Sequence, residues 1–414
     1  MLTLVTACSA SVQPSTTRPV RVTRSVPSPS ITQPPPAPSE GVGTIDVDAS
    51  QAAWTGDIDR VVGQADVSVA VGTGTRLVYL HLADIRRIPA STQKLLTSMV
   101  ALDTWGPSFR FPTLAVARHE LHDGVVRGDL FIVGSGDPTV DAGSMARLAG
   151  RVDQAGVERI TGSVVGDTSA FTREWWAPGW VPGLSRSYVN RTTALAFEGN
   201  AGPGLPEEAA ATSLTSALEA RGVDVEGQPD AGDVPGSISE VARIRSAPLA
   251  SLLTIQNHGS VNFFAETILK AIGADASGEA GSTAAGAARV EAWAAERGVL
   301  AQVRDGSGLS HQDRISVQGL VVLMLLAGRE PWGDALERSL PGPGEGTIGD
   351  RLRGIPVRAR TGTLFETPVS SLAGWVEDAS DGPVAFAVLS RGLDKSSAIR
   401  IEDEIVGILA GARI

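Results

Sequence analysis

Apolar and polar positions alternate most clearly at two places far apart in the chain. Residues 66–82 read Val-Ser-Val-Ala-Val, a Gly-Thr-Gly turn, then Arg-Leu-Val-Tyr-Leu-His-Leu, which predicts two strands joined by a tight turn. Near the C-terminus, residues 357–363, 371–376 and 384–389 predict three more strands. Strand side chains alternate, so Arg358 and Arg360 should share one face. Between these regions helical spacing takes over. After Pro89, which stops any upstream helix, Leu95, Leu96, Met99, Val100 and Leu102 form a stripe for burial. Residues 317–327 are apolar but too short to cross a bilayer and read as a core helix. From about residue 396 to 409, Ile401, Ile405 and Leu409 fall on one face of a final amphipathic helix.

The stretch from about residue 108 to 245 has a different texture, with short strands at residues 128–133 and 162–165 and the tight turn Gly134-Ser-Gly-Asp-Pro138. Strands at both ends with helices between them indicate an α/β fold, an α+β sandwich, built from residues 46–107 and 246–414. Residues 108–245 are expected to form an inserted accessory domain. Trp175, Trp176 and Trp180 in that stretch read first as a small core or a domain contact, given how much area aromatics bury. No internal repeat is visible.

Composition adds limits. The 414 residues are 42% hydrophobic and 20% charged, enough to fill a sizeable core. The net charge of −11, with no basic run interleaved with aromatics, argues against nucleic acid as a partner. The single cysteine, Cys8, excludes an intramolecular disulfide and a cysteine metal site. It ends Val-Thr-Ala-Cys, similar to a bacterial lipobox, with the basic region and most of the apolar region of a signal peptide missing, as if the start were placed too far downstream. Lipidation at Cys8 is the expectation; a chance apolar start is the alternative. Up to about residue 45 the chain is rich in Pro, Ser and Thr, a linker of polyproline character that would hold a domain off a membrane. A metal site is not expected: His119-Glu-Leu-His122 has the wrong spacing for the zinc-binding His-Glu-x-x-His.

The candidate chemistry begins at Ser91 and Lys94. Three apart at a helix start, they face the same side. A serine is a poor nucleophile until a neighbour takes its proton, and a lysine kept neutral by burial can be that neighbour. Alone, the pair reads equally as an N-cap and a solvated lysine. Two further groups follow in order, Ser260-Val-Asn262 and Arg360-Thr361-Gly362.

The order resembles that of the penicillin-recognising serine acyl transferases, whose third motif is usually Lys-Thr-Gly. Ser91 and Ser260 are 169 positions apart, too far for a compact β-lactamase. Phe111-Pro-Thr, Gly134-Ser-Gly-Asp-Pro-Thr139, Ser260-Val-Asn-Phe-Phe-Ala-Glu266, Asp305-Gly-Ser-Gly-Leu-Ser310, Gly346-Thr347 and Arg358-Ala-Arg-Thr-Gly-Thr-Leu364 resemble the penicillin-binding protein 4 family of D-alanyl-D-alanine carboxypeptidases and endopeptidases, especially its actinobacterial members. The resemblance covers essentially everything after the linker. It implies an exported enzyme acting on peptidoglycan stem peptides and acylated by β-lactams, without a cofactor. Ser91 would attack the carbonyl between two terminal D-alanines, Lys94 would take its proton, Ser260 would relay it to the leaving amine, and Asn262 would hold Lys94 and the substrate amide. The N–H groups of Ser91 and Thr363 would form the oxyanion hole. Arg360, Thr361, Gly362 and Thr363 would hold the substrate, Arg360 and the two threonines at its carboxylate. Asp137 would contact the substrate's side-chain amine or serve as a turn residue. Arg360 departs from the family lysine: it keeps the charge but is bulkier and cannot act as an acid near neutral pH. Two rival readings stand beside this one. A β-lactamase would need a glutamate base, for which Glu337-Arg-Ser-Leu-Pro341 is the nearest match, and a wall-binding protein of the same fold would have lost turnover through Arg360.

Overall fold

The computed structural model describes residues 45–48, 52–183, 185–377 and 382–412. The expectation for Cys8 and the linker lies outside them. The largest sheet has the order Asp46–Val47, Arg76–His81, Val67–Thr73, Val384–Arg391, Val369–Val376, Val357–Leu364. Only the first pair is parallel. The earliest long strand therefore lies against the last, with Val69 opposite Val388.

The period of two sorts the strand residues into two cores. Val67, Val69 and Val71 point to one face, where they pack with Ile58 and Val62 of the helix Ala53–Val62 and with Ile401, Ile405 and Leu409 of the C-terminal helix Lys395–Gly411. Ala70, Ala373, Ala385 and Ala387 point to the other, against Leu320, Val321 and Met324 of the helix Val317–Ala327 and Leu95 and Met99 of the helix Gln93–Trp105. Small residues on that face let helices approach closely. Each fully buried Leu, Ile or Val contributes roughly 1.5–3 kcal/mol, so the alternation itself fixes the register.

Residues 112–245 carry a five-stranded sheet, Asp230–Gly232, Val164–Asp167, Leu130–Gly134, Pro112–Ala117, Ser239–Arg245, and a small three-stranded one; among the described residues their strands pair only with one another. The sequence reading found strands here and missed two helices, Ala142–Gln154 and Pro206–Glu219, whose Met145, Leu148, Val152, Leu214 and Leu218 fill the core of this part. Their signals were available. Met145, Leu148, Ala149 and Val152 follow helical spacing, Asp141 caps the first helix by accepting from the Ser144 N–H at 2.7 Å, and Pro206 opens the second.

Candidate active site

Ser91 sits in a short 3₁₀ turn, Ala90–Thr92, that runs into the helix Gln93–Trp105. Ala90 just before it has φ 48°, a left-handed backbone that costs a non-glycine residue about 1 kcal/mol or more and persists only where the surroundings enforce it. They do so here: the hydroxyls of Ser371 and Thr92 both donate to the Pro89 carbonyl at 2.7 Å. Gly308, with φ +83°, presses its backbone on Ala90, where a side chain would collide.

One helical turn on, Lys94 is fully buried. Its Nζ donates to Asn262 Oδ1 and to the Ser307 carbonyl, each at 2.7 Å, and lies 3.3 Å from Ser91 Oγ. Ser260 Oγ is 3.4 Å from Ser91 Oγ. Ser260 lies in the break between the helices Leu249–Gly259 and Asn262–Ser277, with φ 53°. The Ser307 carbonyl is held by Glu266, whose carboxylate accepts from the N–H groups of Gly306 and Ser307 at 3.0 and 2.8 Å. Asp305 in the same loop accepts from the N–H groups of Gly308 and Ser310 and, at 2.6 Å, from the Trp180 indole.

Burial, then the nearby Arg360 guanidinium, holds Lys94 well below its ordinary pKa; the charges of Asp305 and Glu266 push back. Burial likewise raises Glu266 above the usual carboxylate range, with Asp305 adding to it, and lowers Arg360 to about 9.

A cleft of about 280 Å³ opens over these groups. Ser91, Ser260, Asn262 and Thr363 line it beside an apolar wall that includes Trp180, Tyr188, Leu309, Leu364 and Phe365, with His311 and Glu366 at hand. The strand Val357–Leu364 is the edge of the main sheet. Ala359 N–H reaches out across that edge to the Pro341 carbonyl, so alternation by two sends the Thr363 N–H the same way, toward the cleft. Gly362 lies against the nitrogen of Ser91 so closely that an added Cβ would be 2.7 Å from it. Ser91 and Thr363 both line the cleft, on either side of this contact. A nucleophile, a neutral amine, a second hydroxyl and two backbone donors are the parts of acyl transfer through a covalent serine intermediate.

Residues 56–201 and 204–412 match the profile of the D-Ala-D-Ala carboxypeptidase 3 (S13) family. The chain belongs to this family. Among S13 relatives, a D-alanyl-D-alanine carboxypeptidase of Actinomadura sp. (strain R39) is 27% identical over 470 aligned positions, covering 88% of this chain and 86% of that protein. A carboxypeptidase of Mycobacterium tuberculosis is 28% identical over 415 positions, covering 86% and 85%. In fold, the chain is similar to penicillin binding protein 4 of Haemophilus influenzae, with a TM-score of 0.71 at 19% identity over 86% of this chain and 99% of that one; the Haemophilus protein has also been solved complexed with a β-lactam.

Two of the residues considered for substrate binding, Arg360 and Asp137, lie outside the cleft lining. Arg360 is not among the cleft-lining residues: it is fully buried, donating to Ser260 Oγ and, at 3.2 Å, to Thr347 Oγ1, and its Nε has no hydrogen-bond partner among the described residues. The reason is alternation, since Arg360 and Gly362 point to the face of the helices Gln93–Trp105 and Val317–Ala327, while Thr361 and Thr363 point to the face of the C-terminal helix. Arg358, two positions earlier on the same strand, is engaged by the Leu340 carbonyl and Glu345. Asp137 does not line the cleft; it is buried in its turn, accepting from the N–H and hydroxyl of Thr139 at 2.9 and 2.6 Å, and burial raises its pKa. Thr361 is half-buried on the Thr363 face. Glu337, the nearest match to a β-lactamase base, is not among the cleft-lining residues. Sequence reasoning missed Trp180, Tyr188 and His311 as cleft residues; three tryptophans within six positions were the available signal.

Proposed function

We propose that this S13 protein is a serine D-Ala-D-Ala carboxypeptidase of peptidoglycan stem peptides, with Ser91 as the acylated residue. The observation that carries the reading is the bonding of Lys94. A neutral amine has two N–H groups and one lone pair; Asn262 Oδ1 and the Ser307 carbonyl take both N–H groups at 2.7 Å, which leaves the lone pair for the Ser91 hydroxyl. Ser91 Oγ attacks the carbonyl between the terminal D-alanines as its proton passes to Lys94. The oxyanion forms between the N–H groups of Ser91 and Thr363, a donor of this kind being worth roughly 3 kcal/mol. Ser260, close to Ser91 and fixed by the Arg360 guanidinium, carries the proton to the departing amine, and D-alanine leaves. Water then attacks the ester, losing a proton to Lys94, which passes it to Ser91 Oγ as the acyl group leaves as the free acid. β-Lactams enter by the same attack, their amide opening on Ser91.

Export and anchoring belong to the same reading: Cys8 as a lipidated residue and the Pro-rich linker as a spacer would keep the enzyme at the envelope, where its substrate is. No described helix is long and apolar enough to cross a membrane. Residues 108–245 act as an inserted accessory unit. Lys270 ties them to the core by donating to the Thr172 and Glu174 carbonyls at 3.0 and 2.8 Å.

Intact-protein mass after benzylpenicillin should rise by one penicillin, and Ser91→Ala should abolish both the rise and D-alanine release from a stem pentapeptide. An adduct that persists on the alanine variant would sink the assignment.

A further inference from the structure

With Arg360 turned to Ser260, the cleft needs another source of positive charge if a terminal carboxylate is to be held there. We infer that Lys395 supplies it, acting through the hydroxyl of Thr363; this rests on the reading of the chain as a D-Ala-D-Ala peptidase. Lys395 Nζ donates to Thr363 Oγ1 at 2.7 Å and to Ser370 Oγ at 2.9 Å. Thr363 and Ser370 are direct partners across neighbouring strands, so their side chains stand together on the face that the C-terminal helix crosses.

Lys395 stands at a costly position for a cation. It is the first residue of the helix Lys395–Gly411, at the end where the helix dipole disfavours a cation, and it is half-buried, which lowers its pKa. Its two hydrogen bonds go to hydroxyls. The nearest acidic group along the chain of bonds, Glu402, accepts from Ser370 Oγ at 2.6 Å and from Arg351 at 2.8 Å, while Arg351 also holds Asp403. Glu402 and Asp403 attract the lysine charge from a distance and Arg351 opposes it, while the ammonium itself touches only the two hydroxyls, of which that of Thr363 belongs to a cleft residue. A threonine hydroxyl that accepts from a cation keeps its own O–H to give, and it gives more strongly for being polarised. Thr363 lines the cleft beside Ser91 and Ser260. An anion bonded to that hydroxyl lies one atom from the ammonium group, at short range for a partly buried charge. Lys395 is then a positioning and specificity residue that never touches the substrate.

The test compares each acidic substrate with a form whose carboxylate is blocked. Wild type, Lys395→Met, Lys395→Arg and Thr363→Val are assayed on an N-acylated D-Ala-D-Ala peptide and its C-terminal amide, and for acylation by benzylpenicillin and its methyl ester, with thermal unfolding alongside. Lys395→Met should cut kcat/KM for the acid forms about tenfold, the lower end of what an interaction with a charged group is worth, and leave the blocked forms nearly unchanged. Lys395→Arg should restore most of the preference. Lys395→Met added to Thr363→Val should cost little more than Thr363→Val alone, because the charge acts through that hydroxyl. Equal losses on acid and blocked forms would mark Lys395 as structural and overturn the inference. If Lys395→Met does not fold, Lys395→Arg and Thr363→Val decide: full loss of acid preference in the first, or none in the second, overturns it. A wild type that neither releases D-alanine nor is acylated would overturn the peptidase reading itself, and this inference with it.

Discussion

Gly362→Ala offers a sharp test of the oxyanion geometry. The backbone of Gly362 does not have positive φ, so alanine is conformationally acceptable there and only space decides. Its Cβ would meet the Ser371 hydroxyl, would lie 2.7 Å from the Ser91 nitrogen and 3.1 Å from Ala90 Cβ. Real Cβ atoms essentially never come within 3.0 Å, so something must shift, and both close neighbours belong to the site: the Ser91 N–H is a proposed oxyanion donor, and the Ser371 hydroxyl pins Pro89. Overpacking of this kind costs about 1–3 kcal/mol, which a domain stable by about 5–15 kcal/mol survives. Loss of one oxyanion donor costs about 10²–10³-fold in rate. The rate effect should therefore far outrun the loss of stability. The assay is the acylation rate with a chromogenic β-lactam, D-alanine release from a stem peptide, and the unfolding temperature of the same preparation. Ser371→Ala in the Gly362→Ala background separates the two clashes, since it frees the hydroxyl and leaves the contact with the Ser91 nitrogen. Wild-type rates in Gly362→Ala, or full rescue by Ser371→Ala, would refute the idea that Gly362 seats the Ser91 N–H.

Arg360→Met removes a cation that helps keep Lys94 neutral. Because a protonated Lys94 cannot act as a base, the acid limb of the kcat/KM profile should move to higher pH, while Arg360→Lys should leave it in place and keep most of the turnover; an unmoved limb in Arg360→Met would show that Arg360 does not tune Lys94. Trp180→Phe deletes the indole donor to the buried Asp305 carboxylate, a bond to a charged group worth about 1.5–3 kcal/mol, and should lower stability by that order in denaturant unfolding; an unchanged midpoint would mean that another donor replaces it. Lys270 carries a pKa lowered to about 8 by burial, so the unfolded chain holds its proton over a range, from about 8 up to its ordinary value near 10.5, in which the folded chain has lost it. Over that window its contribution to stability should rise with pH, and Lys270→Met should flatten the rise; an identical pH dependence in the variant would refute this.

Much of the architecture could be read directly. The helix Val317–Ala327 has the bounds that apolar run predicts, and the two early strands and three late ones stand where alternation put them. The grouping of Ser91, Lys94, Ser260 and Asn262 came from the resemblance of three motifs, in their order, to those of the penicillin-recognising enzymes. What escaped was direction. Arg360, Thr361 and Thr363 look like one motif in a line of text, yet the pleat sends Arg360 to Ser260 and Thr363 to Lys395, 32 positions further on. Nothing near Lys395 in sequence signals a site. The helices of residues 112–245 escaped for a simpler reason, since their alanine-rich faces are weakly apolar and the neighbouring short strands dominated the reading.

The pairing of Val67–Thr73 with Val384–Arg391 has a temporal consequence. A chain made from the N-terminus exposes its second strand early, with its backbone groups unpaired, and the strand that will cover it is among the last segments to appear. Residues 112–245, whose strands need no partner from outside, can organise during that wait. Ser91 cannot: the sheet on which its turn rests does not exist until the strands from residue 357 onward arrive, so capture of a penicillin reports that this sheet has closed.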